Sequence, residues 1–174
     1  DHVEAINRRG LSISGPLAEF RVQAEAYTPQ TLTGTFETVL LCVKAQDTAT
    51  ATQELAPFLN ADGYVVLVQN GLNELVIQEI VGVERTVGAF VNFGADYLEP
   101  GLILYGGRGA VVLGELHGEL SDRLAALHGA FQDFDEAAIM TDNIFGYLWG
   151  KLAYGAQLFV TALTNDSIAD CLDD

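Results

Sequence analysis

The sequence predicts an α/β fold built on an open, mostly parallel sheet. TVLLCV (38–43) and YVVLVQ (64–69) are unbroken apolar runs carrying β-branched residues, as strands buried on both faces require. Each is followed by a stretch whose apolar residues recur at helical spacing. A third run, TVGAFVNFG (86–94), completes a strand–helix–strand–helix–strand order, the signature of consecutive βαβ units.

Each element has its own local reason. Residues 2–9 carry Val3 and Ile6 at helical spacing, and Gly10 stops that helix. LSIS (11–14) and EFRVQAEA (19–26) alternate apolar and polar residues around Gly15-Pro16, which predicts a β-hairpin. After the first buried strand, Asp47 caps a helix to about Leu59, and Asn60-Ala61-Asp62-Gly63 ends it. After the second, Asn70-Gly71 leads into a helix from about Leu72 to Val81, with Leu75, Val76 and Ile80 on one side. LILYGGRGAVVLGE (102–115) reads as two short strands joined by GGRG. Ser121 caps a helix over 121–134 with Leu124, Leu127, Phe131 and Phe134 inward. AAIMT (137–141) is a last short strand, and a long helix starts near Asp142-Asn143 and passes Phe159.

At 174 residues and 49% hydrophobic, the chain can bury a sizeable core without disulfide or metal staples. Its formal charge of -16 argues against nucleic acid and against anionic membrane surfaces. Cys42 and Cys171 are too distant in sequence to suggest a disulfide framework or a zinc site, so both are expected as reduced thiols in the cytoplasm. No apolar run approaches the roughly 18 residues of a membrane span. The charged opening DHVEAINRRG carries no signal-peptide pattern. His2, His117 and His128 lack metal-ligand spacing, and Asp133, Asp135 and Glu136 read as a solvated turn.

Three polar residues stand where polar residues are costly or useful. In YLWGKLAYG (147–155), Lys151 falls within the stripe Ile144, Tyr147, Leu148, Leu152, Gly155, Leu158, Phe159, not opposite it. Such a lysine either snorkels from the stripe edge to solvent or faces a cleft as proton donor or anion clamp. Lys44 follows directly on TVLLCV, and open parallel sheets bind ligands beyond the carboxyl ends of their strands; the alternative is a strand-end lysine in water. Asn70 ends the next strand, either as a helix cap or as an amide offered to a ligand.

Taken together, HVEAINRRGL, LLCVKAQD (40–47), VVLVQNGLNE (65–74), VGAFVNFGA (87–95), the PG…GGRGAVVLGE stretch (100–115) and DNIFGYLWGKLA (142–153) resemble the ketopantoate reductase family, NADPH-dependent 2-dehydropantoate 2-reductases, over nearly the whole chain. The resemblance implies a Rossmann-like NADP-binding domain over 1–141, lacking its first βα unit, and the first helix of a C-terminal helical substrate domain over 142–174. It implies that Lys44 contacts the cofactor, that Asn70 sits at the cofactor–substrate junction, and that the backbone at Gly94 lies against the cofactor. Lys151 matches the lysine that protonates the ketone oxygen while NADPH delivers hydride. The implied partner is a small 2-oxo acid, with a homodimer admitted.

The pattern also departs from the family. The G-x-G-x-x-G turn and the basic reader of the 2′-phosphate are expected upstream of Asp1, and GGRG is no substitute because it opens no helix. The rest of the helical domain is expected after Asp174. Gly155 and Phe159 stand where the family often has asparagines, on the same helix face as Lys151, so another 2-oxo acid is an alternative substrate. A non-catalytic nucleotide-binding or interaction module is the alternative from a different class. The 174-residue chain by itself is expected to bind NADPH weakly at best.

Overall fold

The computed structural model describes residues 1–173. In chain order its elements are α1 (His2–Arg9), β1 (Leu11–Ser14), β2 (Phe20–Val22), β3 (Phe36–Leu41), α2 (Thr48–Leu55), β4 (Leu59–Leu67) and α3 (Glu74–Val81). They continue as β5 (Thr86–Val91), β6 (Gly94–Glu99), β7 (Leu102–Gly107), β8 (Val111–Glu115), α4 (Asp122–Phe134), β9 (Ile139–Met140), α5 (Ile144–Thr161) and α6 (Ile168–Asp173).

The main sheet runs β3-β4-β5-β8-β9, with β5–β8 antiparallel and the other neighbours parallel. Strand alternation divides its core. Tyr64 and Val66 join Val87, Leu113, Leu124 and Leu127 on the face covered by α4. Val65 and Leu67 join Leu41, Leu59 and Ile77 on the face covered by α2 and α3. A third cluster, Val112, Ile144 and Leu148, anchors the first two turns of α5 to the sheet.

The hairpin expected at the N-terminus forms, but it belongs to a separate sheet, β2-β1-β7-β6. The strands on either side of GGRG therefore lie in different sheets. β6 was not foreseen from sequence, because all six of its residues are exposed and no apolar alternation marks it.

Three expectations need correction. Among the described residues TVLLCV stands at the sheet edge and is not covered on both faces: of β3 only Leu41 is buried, and Leu40 is 50% exposed. The inward face of α3 carries Glu74 and Ile77, while Leu75 and Val76 are exposed; the buried stripe passes through a carboxylate, which a hydrophobic pattern discounts. Asp47 makes no side-chain cap bond, since a 3-10 turn over Ala45–Asp47 already leads into α2. That helix ends at Leu55, before Pro57, and Asn60–Gly63 belong to β4.

Candidate active site

The site is assembled where β3, β4 and β5 end. Helix α5 is placed first. Asn143 caps it, its Oδ1 accepting from the Gly146 N–H at 3.1 Å. Gly88 and Gly114 face each other across β5 and β8, and Ile144 sits over the trough they leave. A Cβ on either would lie 2.9 or 2.8 Å from Ile144 atoms, so only glycines admit the helix at this depth. Leu148, one turn on, is 2% exposed. Lys151 comes a further turn along the same face and reaches the end of β5.

Lys151 is half-buried. Its Nζ donates to the Val91 carbonyl and lies 5.3 Å from the centroid of the Phe90 ring. Burial holds its pKa below the usual lysine value. Among the described residues the amine meets no carboxylate; a backbone oxygen and an aromatic face receive it.

The opposite wall comes from the two strand-end loops. The β3–β4 ladder gives one more bond past β4, from Val68 N–H to Leu41 O at 3.0 Å, and the chains then diverge. Lys44 lies on one branch and Asn70 on the other. Asn70 is not the cap of α3, which begins at Glu74 with Asn73 at the cap position. Asn73 Nδ2 instead donates to the Asn70 carbonyl at 2.8 Å, holding the turn.

Two clefts meet here. One, of about 760 Å³, is lined by Lys44, Asn70, Asn92 and Lys151, with Cys42 at its side. The other, of about 910 Å³, shares Asn70, Asn92 and Lys151 and runs along α5 past Phe90, Tyr147, Gly155 and Phe159. Of the residues singled out in the sequence, Lys44, Asn70 and Lys151 therefore converge on one cleft. Gly94 opens β6, is exposed and lines neither; its neighbours Phe93 and Ala95 line the first.

Sequence reasoning missed Asn92. It sits in FVNFG beside the carbonyl that holds Lys151, on the wall common to both clefts. Its backbone N–H donates to Ala110 O at 2.9 Å, and a Cβ on Gly109 would fall 1.6 Å from its carbonyl oxygen. The last glycine of GGRG was the available signal: it permits the backbone contact that fixes Asn92. Gln69 was missed as well. Its Nε2 donates to Val43 O at 2.5 Å and to Thr48 Oγ1 at 3.0 Å.

The electrostatics favour an anion. The chain carries 24 acidic residues and two lysines, and both lysines line the same cleft. A site that gathers both lysines of a strongly acidic chain, with two amides between them, can bind and polarise a negatively charged, carbonyl-bearing ligand.

Residues 1–118 match the family model described as ketopantoate reductase PanE/ApbA. A 2-dehydropantoate 2-reductase of Pyrococcus horikoshii is 30% identical over 152 residues, covering 86% of this chain and 48% of its own length. One of Halobacterium salinarum is 28% identical over 178 residues, covering 98% of this chain, so the span takes in Lys151, and 58% of its own. Among solved structures, a PanE/ApbA family ketopantoate reductase from Ralstonia eutropha superposes with a TM-score of 0.76 at 26% identity, over 87% of this chain and 49% of that one. The chain spans about half the length of the curated relatives it matches.

Proposed function

The chain belongs to the ketopantoate reductase family, and from that premise we propose that the complete protein reduces the ketone of a small 2-oxo acid, 2-dehydropantoate by default, using NADPH. The observation that carries the reading is the common wall: Lys151 and Asn70 line both clefts, and Lys44 lines one of them.

The residues present fit a nicotinamide. The first cleft lies beyond the carboxyl ends of three parallel strands, where open α/β sheets hold their ligands, and it offers ammonium and amide groups. A reduced nicotinamide there supplies hydride to the carbonyl carbon. Lys151 acts on the oxygen. Its ammonium has three N–H donors and Val91 takes one. Another can bond the ketone oxygen, stabilise the charge that develops there and deliver a proton to it. The lowered pKa brings that proton nearer to transfer at neutral pH. In this reading Lys44 holds the cofactor, the Asn70 amide orients the groups that meet between the clefts, and the backbone near Gly94 flanks the cofactor. Residues 1–141 form the nucleotide-binding part, and α5 opens the substrate part in a cytoplasmic enzyme.

A second reading concerns the substrate. Gly155 and Phe159 line the cleft along α5 and bring no hydrogen-bonding side chain to it, which favours a 2-oxo acid other than 2-dehydropantoate. NADPH oxidation by the complete protein, followed over a panel of 2-oxo acids, tests both. Turnover with 2-dehydropantoate supports the default, turnover with another acid supports the second, and turnover with none leaves a nucleotide-binding module without chemistry.

A further inference from the structure

The last β3–β4 ladder bond joins Val68 to Leu41, yet Lys44 and Asn70 lie two to three residues beyond it. Loops released from a sheet in this way need some other tie to keep a fixed separation. Gln69 supplies it. The side chain is 6% exposed and its amide reaches across 26 residues of sequence to the Val43 carbonyl, at 2.5 Å. The same Nε2 donates at 3.0 Å to Thr48 Oγ1, itself 1% exposed at the start of α2. Thr48 in turn is locked into the helix, its carbonyl accepting from Thr52 Oγ1 at 2.7 Å. The residue after Val43 is Lys44, and the residue after Gln69 is Asn70. One buried amide therefore spaces the two branches that carry the cleft's polar groups.

We propose that Gln69 is a positioning residue: it sets the distance between Lys44 and Asn70 and thereby the affinity of the cleft for its dinucleotide. It touches no reacting atom and acts through the loop it holds. The inference rests on the reading of this cleft as a nicotinamide site. A leucine in its place keeps most of the volume but removes the donor to the Val43 carbonyl, and with it the tie between the two branches.

The test uses the complete protein and NADPH as probe, with fluorescence titration for Kd and steady-state rates for kcat. Gln69→Leu should raise Kd and KM for NADPH about tenfold, equivalent to about one lost hydrogen bond, with a smaller effect on kcat. Thr48→Val, which removes one of the two partners, should shift Kd in the same direction by less, and it serves if Gln69→Leu folds poorly. In a Lys44→Ala background, Gln69→Leu should add little, because the residue through which it acts is gone. Wild-type affinity in Gln69→Leu, or full multiplication of the two effects, would overturn the proposal. If the wild type bound no dinucleotide, the functional reading would fail on its own. Amide hydrogen exchange would still decide the tie: exchange over residues 42–48 should quicken in Gln69→Leu, and unchanged exchange would overturn it.

Discussion

At one end of the main sheet, where β8 finishes beside the start of β5, Glu115 is 1% exposed and both its oxygens are engaged. Arg123 donates to Oε1 at 2.7 Å and to Oε2 at 2.5 Å, and Ser121 Oγ donates to Oε1 at 2.6 Å. The remaining guanidinium edge bonds Glu84 O at 2.5 Å and lies over the Tyr64 ring. At the other end, about 17 Å away along β5 at strand rise, polar groups are only partly matched. Lys151 has one backbone acceptor, and Gln69 Oε1 and Glu74 Oε2 are buried without a partner. Both ends bury charge, but one closes its network and the other leaves donors and acceptors free. A closed network fixes a fold, whereas the amine and amides that line the clefts, Lys151, Asn70 and Asn92, are what a ligand can use.

That contrast predicts effects of different kinds at the two ends. The largest belongs to Lys151→Ala in the complete protein. It should lower kcat about 10²–10⁴-fold, the usual worth of a positioned acid, while NADPH affinity and thermal stability stay near wild type. Equal losses in kcat and in affinity would mean that the amine is a clamp and not a proton donor.

Glu115→Ala should do the reverse. It strands a partly buried guanidinium and should cost about 3 kcal/mol by denaturant titration, with kcat per folded molecule unchanged. Burial pushes the Glu115 carboxyl up, but bonds from Arg123 and Ser121 outweigh it and hold it below the usual range. A depressed carboxyl stabilises the fold above its unfolded pKa, and that contribution is lost as pH falls through the folded one. Acid unfolding of the wild type should therefore begin below about pH 4.5, and the variant should lose that limb.

Glu74 sharpens the comparison, as a buried carboxylate beside the open end. Burial pushes its pKa up to about 7. The sign is opposite to Glu115: the neutral form is the stable one, so its contribution is present below the unfolded pKa and is lost as pH rises through about 7. Glu74→Gln should match wild type near pH 5 and exceed it at pH 8 by on the order of 2 kcal/mol, read from denaturant midpoints at the two values. No gain at pH 8 would mean that the carboxylate finds a partner in solution.

Gly88→Ala should cost about 1–2 kcal/mol in stability from crowding Ile144. Its kcat should nonetheless fall, because Ile144 is the foot on which the Lys151 helix stands. A stability loss with kcat intact would separate the helix seat from the site.

How much of this was legible beforehand depended on the kind of signal. Lys151, Lys44 and Asn70 could be picked out because each is a polar residue at a place where apolar periodicity or a strand end makes it costly or useful. Asn92 and Gln69 resemble ordinary strand-end residues; long-range contacts to Ala110 and Val43 distinguish them, and only the glycine of GGRG hinted at the first. The main sheet followed from its apolar runs, whereas β6 left no pattern because no face of it is buried. The inward face of α3 was misread because the stripe that turns inward includes an acid, Glu74, at 1% exposure. Tertiary contacts override hydrophobic pattern at edges and at buried charges.

The central claim is that the Lys151 ammonium, half-buried against Val91 and Phe90, is the group that protonates the substrate. The pH dependence of kcat at saturating NADPH, for the wild type and for Lys151→Arg, addresses it most directly. The account predicts a fall in wild-type kcat at high pH, centred below the usual lysine value, and its disappearance in the arginine variant, whose residual rate is lower throughout. The same basic limb in both proteins would contradict it.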